Sequence, residues 1–480
     1  MRPLTLACIM LVLDSVQRSE AAAGMGLFNT AWEPICSLSE ELGKITGHAL
    51  SHSEKILNAA LENELAAKRA AIYFAKNPTA PNAAAARTLA AYFSTRATRT
   101  ISNLKDVAAA SHIAAASPSA YLKGRIDDTM TFLERSTSST NNGCLLPATT
   151  ESSGAKRNAD KLNGKDCGLK PPKIAAAELN TKHLKPDGYE GLKHEAGTGN
   201  QITPANGAHK CKLLTADNTN GYTASEAATE QFDLMGGYLQ IKAADQPPAL
   251  RNKADLHQTN KDKAPAWHEA HAAYTNLKTY DAPTHGNETG KLTDRPDLTT
   301  LVSYFLSESD RGSKDKIETA INEIFGDATA KGLDSALKEI DDESIPAGTA
   351  CVKAETKLSK LKDSTCLAAI LNHYEQELAT RLKALQDQIA AEALKKKTQT
   401  EKECNEAKDN KTECGKKAGC TYNESKSAGE KCTLDEEAKQ KAAEKATQET
   451  GGKDGKPTNT TASNSFVINT VPLLLAVLLF

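Results

Sequence analysis

Apolar and small side chains recur at alternating steps of three and four residues near the start of this chain. This period suits a long helix packed against a second one. The positions are Ile35, Leu38, Leu42, Ile45, Ala49, His52 and Ile56. Such spacing forms the seam of a coiled coil. The seven-residue register fails at Asn63 and resumes with Leu61, Leu65 and Ile72, which predicts a stutter. A helix over residues 35–75 would be about 60 Å long.

A second helix should return along the first. The segment from Asn77 to Pro81 ends the first helix, and the short connection favours an antiparallel partner over residues 82–116. Its predicted apolar face holds Leu89, Phe93, Ala97, Ile101, Leu104 and either Val107 or Ala108. We interpret His52 as a partly buried polar seam residue rather than as a metal ligand or a pH switch.

The rest of the chain divides into a loop-rich region, a third long helix and a small cysteine-rich module. Residues 118–350 are rich in Gly, Asn, Thr and Lys. Within them, 298–305 is a strand or buried-helix candidate and 315–324 a short amphipathic helix. The third helix covers 364–397, with an apolar stripe of Leu367, Ile370, Leu371, Tyr374, Leu378, Leu382, Leu385 and Ile389.

Composition supports a thin core. Aromatic residues make up only 5% of the chain and hydrophobic residues 39%, so a seam between helices is favoured over a thick globular interior. The predicted fold class is mainly α: an elongated antiparallel helical hairpin or coiled-coil rod with a loop-rich lobe, plus a small disulfide-rich C-terminal module.

Both ends of the chain resemble removable export signals. Arg2 precedes the apolar run from Leu4 to Leu13, and Ala21-Ala22-Ala23 offers a small-x-small cleavage site before Gly24. At the other end, small residues at 463–465 are followed by a short spacer and the apolar tail LLLAVLLF. This order is typical of a glycosylphosphatidylinositol (GPI) attachment signal. The tail is shorter than the roughly 20 apolar residues of a membrane-spanning helix.

The cysteines and sequons agree with export. Ten of the eleven cysteines remain once Cys8 leaves with the signal peptide, and an even count in an exported chain favours disulfides over a zinc site. The last cysteines, Cys404, Cys414, Cys420 and Cys432, allow three connectivities. Asn287, Asn410, Asn423 and Asn459 begin N-glycosylation tripeptides.

The sequence offers no enzyme motif. His268 and His271 flank a glutamate, but their i, i+3 spacing departs from the i, i+4 spacing of zinc proteases. We therefore predict no catalytic residue, no metal ligand and no cofactor. A net charge of −2 gives no bulk attraction to nucleic acid, so none is predicted as a partner.

The ending SNSFVIN, two further residues and PLLLAVLLF closely resembles the GPI signal of the variant surface glycoproteins of African trypanosomes. The order of hairpin, loop-rich middle, returning helix and four-cysteine module is similar to that family along the whole chain. Cys36, Cys144, Cys167 and Cys211 resemble its class A N-terminal set, which implies the pairs Cys36–Cys167 and Cys144–Cys211. The resemblance also implies Cys404–Cys420 and Cys414–Cys432.

Two further assignments accompany the resemblance. The family's short signal places the lipid on Ser463, with Asn464 as the second choice. Cys351 and Cys366 depart from the class A set, and their close spacing predicts a local bridge. The expected division is 1–23 signal peptide, 24–397 helical domain, 398–435 cysteine-rich domain, 436–463 polar tail and 464–480 attachment signal.

The resemblance implies a coat protein without catalytic activity. It would be a homodimer held by GPI lipid in the outer leaflet of the plasma membrane. There it would shield the parasite membrane, meet host antibodies and serve antigenic variation and immune evasion. The alternative is a receptor or resistance protein on the same scaffold that binds a host serum ligand. The candidate dimer surfaces are the 35–56 seam and the 364–389 stripe.

Overall fold

The computed structural model describes residues 22–138, 140–148, 153–194, 201–204, 210–259, 261–286 and 290–435. The chain divides into two compact units: residues up to 70 together with 81–342, and residues 71–80 together with 343 onward. The helices of the described residues are α1 Asn29–Lys76, α2 Ala83–Asn103, α3 Ala109–Arg135, α4 Pro265–Thr275, α5 Pro296–Ser303, α6 Lys314–Phe325, α7 Ala330–Asp342, α8 Ser364–Asn405 and α9 Lys411–Lys416.

The strands are short and pair antiparallel. A three-stranded sheet joins β1 Arg157–Asn158, β2 Lys161–Leu162 and β3 Lys165–Asp166; another joins β6 Phe232–Leu234, β7 Leu239–Ile241 and β8 Ala249–Leu250. Two-stranded pairs are β4 Leu184–Lys185 with β5 Gly188–Tyr189, β9 Ser344–Ile345 with β10 Thr356–Lys357, and β11 Cys420–Tyr422 with β12 Cys432–Leu434. Mainly helical architecture with long helices agrees with the predicted fold class.

The seven-residue register of α1 continues through Asn63, so the predicted stutter is wrong. The seven-residue series Ile35, Leu42, Ala49, Ile56, Asn63 and Ala70 is buried throughout. Asn63 keeps its place because its Nδ2 donates to the carbonyls of Ala59 at 2.7 Å and Pro283 at 2.8 Å. Leu61, predicted to lie on the seam, is instead 47% exposed. His52 is half-buried, as predicted.

The second arm is longer than predicted. A π-helical turn, Leu104–Ala108, joins α2 to α3, and α3 then runs through Pro118 to Arg135. Proline removes the hydrogen bond to the carbonyl four residues earlier. Here that residue is Ala114, which is exposed, so water can satisfy its carbonyl.

The two arms are antiparallel, as predicted. Ser39 near the start of α1 donates to Asp127 on α3, while Ser53 further along α1 pairs with His112 near the start of α3 at 2.7 Å. Leu89, Phe93 and Ala97 are buried as predicted. The extra residue of the π turn shifts the helix face. Within the turn Val107 is exposed and Ala108 is buried, and Ile101 just before the turn is also exposed.

The core of the first unit lies where one end of this hairpin meets the short strands. Trp32 and Trp267 are its largest buried side chains. Their indole nitrogens donate to the carbonyls of Leu146 at 2.9 Å and Met235 at 2.7 Å. The segment 298–305 is mostly the short helix α5, not a strand, and the predicted helix over 315–324 is confirmed as α6.

The last long helix departs from the prediction at its C-terminal end. Asp363 caps α8 by accepting hydrogen bonds from the amides of Thr365 at 2.7 Å and Cys366 at 2.9 Å. The helix continues past Lys397 to Asn405. Only the first half of its predicted stripe is buried, since Leu385 and Ile389 are about half exposed. Of the helices in the described ranges, none is both long enough and apolar enough to span a membrane.

Candidate disulfide, glycosylation and lipid-attachment sites

The first disulfide joins α1 to the three-stranded β1–β2–β3 segment. Cys36 and Cys167 are bonded across 131 residues of sequence, and both are fully buried. Around them, Glu40 accepts a hydrogen bond from the amide of Gly168 at 2.8 Å. A crosslink over this separation stabilises by about 5 kcal/mol in the chain-entropy model. This is the pair that the family resemblance implies.

The second disulfide lies beside the N-terminal segment. Cys144 and Cys211 are bonded across 67 residues. The amide of Leu27 donates to the Cys144 carbonyl at 2.8 Å, and the amide of Cys211 donates to the Gly24 carbonyl at 2.7 Å. Gly24 itself donates from its amide to the Thr215 hydroxyl at 2.7 Å. The disulfide thus holds together the loops that receive residues 24–28.

The other pairs lie in the second unit. Cys351–Cys366 spans 15 residues and closes the loop before α8. Cys404–Cys420 and Cys414–Cys432 link the end of α8, α9 and the β11–β12 hairpin. Their sulfurs, with Ala407 and Leu434, make the small core of this module. A core with so few apolar side chains cannot support a fold alone. The module therefore depends on its disulfides.

Two of the sequons fall within the described residues. Asn410 is exposed at the N-cap of α9, where its Oδ1 accepts from the amides of Thr412 and Glu413, each at 3.1 Å. Asn423 is exposed after β11, and its Oδ1 accepts from the Ser425 amide at 2.9 Å. In both, the oxygen makes these bonds, while a glycan is carried on the nitrogen.

Several predicted sites lie outside the described residues. These are the signal peptide up to Ala21, the sequons at Asn287 and Asn459, the polar tail, and the lipid-attachment candidates Ser463 and Asn464.

The two histidines of α4, His268 and His271, differ in burial. His271 is buried, and its Nε2 lies 3.0 Å from the Lys185 carbonyl. Burial lowers the pKa of His271. Burial also lowers the pKa of His268, and the nearby Lys261 adds to that shift while Glu269 opposes it. A cleft of about 640 Å³ beside α4 is lined by Arg125 and Lys263 as well as Asp233 and Glu269. Its mixed charges point to no single ligand class.

A histidine pair escaped the sequence analysis. His48 lies one helical turn before His52, and their Nε2 atoms are 3.2 Å apart. The i, i+4 spacing was the available signal, because residues four apart share a helix face.

Comparison with known proteins identifies the family. Residues 7–375 match the trypanosome variant surface glycoproteins (A-type), and residues 421–480 match the variant surface glycoprotein ETAT family. Variant surface glycoprotein MITAT 1.1 of Trypanosoma brucei brucei is 34% identical over 484 residues, covering 100% of this chain and 98% of the relative. Variant surface glycoprotein MITAT 1.2 of the same organism is 27% identical over 465 residues, covering 96% and 95%.

The solved structure of MITat 1.1 has the same fold. It superposes with a TM-score of 0.70 at 31% identity, over 76% of this chain and 100% of that one. Family model, full-length relative and fold agree with the resemblance noted in the sequence. The chain belongs to the A-type variant surface glycoproteins of trypanosomes.

Proposed function

We propose that this trypanosome surface coat glycoprotein is held in the outer leaflet of the plasma membrane by a GPI anchor on Ser463. One observation carries the proposal. The match to a variant surface glycoprotein family over 421–480 includes the small residues at 463–465 and the apolar tail. Transfer to lipid would remove 464–480, and signal cleavage would remove the N-terminal segment.

The coat shields the membrane and carries antigenic variation. Helix α1 has 48 residues and is therefore about 70 Å long, which supplies reach. Loop residues bear much of the exposed surface in the first unit, as in residues 170–178, and surface loops tolerate substitution because they bury little. Host antibodies would meet such loops, while N-glycans at Asn410 and Asn423 would cover part of the module near the anchor. No catalytic activity belongs to this role.

We propose that two copies associate. A dimer would carry two GPI anchors, and it would be retained far longer than a single copy because each buried hydrocarbon chain adds to the membrane affinity. The 35–56 seam is buried within the chain and is not available for a partner. Leu57 and Leu61 on α1, with Ile101 and Val107 on the opposite arm, are each about half exposed.

These four residues lie at a similar height along the hairpin. The Ser53–His112 contact shows which parts of the two antiparallel arms lie side by side. Leu57 and Leu61 come after Ser53, and Ile101 and Val107 come before His112, all within about three helical turns of that contact. They are the proposed dimer surface. Mass measurement of the purified protein by light scattering tests it. Leu61→Glu with Ile101→Glu should yield monomers, whereas Leu385→Glu with Ile389→Glu on α8 should leave dimers. The reverse result would place the interface on α8.

The anchor is tested by release from cells. Phosphatidylinositol-specific phospholipase C should release a soluble protein whose C-terminal peptide ends in an ethanolamine-glycan on Ser463. A bulky Ser463→Leu substitution should move the modification to Asn464 or block surface display. A released or extracted protein that still carries residues up to Phe480 would refute the anchor.

A further inference from the structure

Two histidine rings converge on α1, and that of His52 lies 6.4 Å from the ring of His112 on the opposite arm. The Nε2 atoms of His48 and His52 lie 3.2 Å apart, and the rings meet nearly at right angles with centroids 4.5 Å apart. Both side chains are half-buried. The segment around Ala177 packs against this turn of α1, where its amide donates to the Gly47 carbonyl at 3.2 Å.

We propose that His48 and His52 chelate a zinc-class divalent ion through their Nε2 atoms. Zinc binds imidazole nitrogen at about 2.0–2.1 Å. Two nitrogens 3.2 Å apart can therefore share one ion at an angle of about 100°, near the tetrahedral value. Within the described ranges, no group of three or more His, Cys, Asp and Glu side chains is arranged to hold a metal. Water would accordingly occupy the remaining positions.

The other nitrogen of His48 fits a ligand role. Nδ1 is buried, and it meets no full hydrogen bond among the described residues. The Ala177 backbone is nevertheless close enough to raise the pKa of the ring in part. Metal-bound histidines usually direct their second N–H at a carbonyl or carboxylate, which fixes the tautomer. A small turn of the ring would complete this bond and leave the Nε2 lone pair for the ion.

The surroundings of the pair favour neutral rings. Burial is the main cause that lowers the pKa of both His48 and His52, and the neutral form is the one that binds metal. Glu178 lies near both rings and opposes this shift. Its carboxylate pairs with Lys55 at 2.6 Å, so the lysine charge that would repel a cation is largely balanced.

The neighbouring histidine is excluded as a third ligand. His112 Nδ1 lies 2.7 Å from the Ser53 hydroxyl, and its Nε2 lies 3.2 Å from the Lys278 carbonyl. With both nitrogens engaged, His112 supports the packing between the two arms instead.

Isothermal titration of the purified protein with zinc chloride tests the site. The wild type should bind one zinc ion per chain that His48→Gln and His52→Gln each weaken by more than about tenfold, because a chelate becomes a single ligand. His373→Gln, at an exposed histidine on α8, is the matched control and should bind like the wild type. Equal isotherms for the wild type and His52→Gln would overturn the proposal.

A second measurement needs no variant, in case the substitutions disturb folding. Diethyl pyrocarbonate modifies free imidazole nitrogens, and peptide mass spectrometry locates the product. Zinc should protect His48 and His52 but not His373. Equal modification of His48 and His52 with and without zinc would refute the site, whatever the variants do.

Discussion

Lys123 Nζ lies 2.7 Å from Asp127 Oδ2 on the same face of α3, and both side chains are buried in the hairpin seam. The lysine also donates to the Ser39 hydroxyl on α1 at 3.0 Å, and that hydroxyl donates to Asp127. Burial raises the pKa of Asp127, while the hydrogen bonds from Lys123 and Ser39 act against this shift. The trio is a polar link between the two arms within their buried seam.

Removing one partner of this pair should be costly. Asp127→Ala leaves the lysine charge buried without its carboxylate, and such losses cost about 3–5 kcal/mol of unfolding free energy. Lys123→Met combined with Asp127→Leu should cost much less than Asp127→Ala, because no charge remains buried. Urea unfolding followed by circular dichroism measures both. An equal loss from Lys338→Met, which breaks the exposed Lys338–Asp342 pair, would show that burial is not the reason.

The seam could be predicted from the sequence because burial follows the helical period. The failures at Asn63 and Pro118 have a common cause. Asn63 suggests a break in the seven-residue register and Pro118 suggests the end of the second helix, although a distant partner or solvent can satisfy the affected groups. The Pro283 carbonyl that receives Asn63 lies 220 residues away in sequence, so local pattern cannot reveal it.

The candidate sites divide in a similar way. Resemblance to a family supplied every disulfide pair except Cys351–Cys366, which its close spacing predicts. Spacing alone left three connectivities open for the last four cysteines. The Lys123–Asp127 pair and the His48–His52 pair both have i, i+4 spacing, yet this spacing is common on solvated helix faces. Only the fold distinguishes a buried or convergent pair from an ordinary one.

Two helical glycines should respond oppositely to alanine. A Cβ on Gly47 would lie 2.4 Å from the Ala175 carbonyl oxygen, so Gly47→Ala must displace the segment packed on α1. Gly124 on α3 has no atom within 4 Å of the same position. Gly124→Ala should therefore stabilise by about 0.5–1 kcal/mol through helix propensity, while Gly47→Ala should destabilise. Thermal and urea unfolding of both variants provide the check, and stabilisation by Gly47→Ala would contradict the packing.

The stability of the first unit should fall with mild acid. Burial is the main cause that lowers the pKa of His271; the Lys185 backbone opposes it, and His257 and His268 add to it. The folded chain therefore takes up this proton less readily than the unfolded chain, whose histidine titrates near 6.5. The contribution of neutral His271 to the free energy of unfolding is complete above that pKa and is lost as the pH falls below it.

His271→Gln should make the dependence of unfolding free energy on pH shallower between about pH 7.5 and 5.5. Denaturant unfolding at several pH values, with EDTA present to remove metal, measures this slope. His373→Gln, at an exposed histidine, should keep the wild-type slope. An unchanged slope for His271→Gln would mean that other groups account for the pH dependence.

The mature N-terminus should be Ala22 rather than Gly24. Gly24 is buried, and its backbone nitrogen donates to the Thr215 hydroxyl at 2.7 Å. Cleavage after Ala23 would turn that nitrogen into a charged amine, and burying an ammonium costs several kcal/mol. The alternative cut after Ala21 also satisfies the small-x-small rule, with Ser19 two residues earlier.

That cut would leave Ala22 half-buried, with its amide nitrogen 3.1 Å from the Pro204 carbonyl at the edge of the fold. Mass spectrometry of the labelled N-terminal peptide from surface protein should therefore find a peptide that begins at Ala22 and ends at Lys44. Ala21→Arg should block this cut, because signal peptidase requires a small residue before the cleaved bond. Ala23→Arg lies beyond the cleaved bond and should leave the cleavage after Ala21 unchanged. A wild-type peptide beginning at Gly24 would instead require the Thr215 site to accept a charged amine.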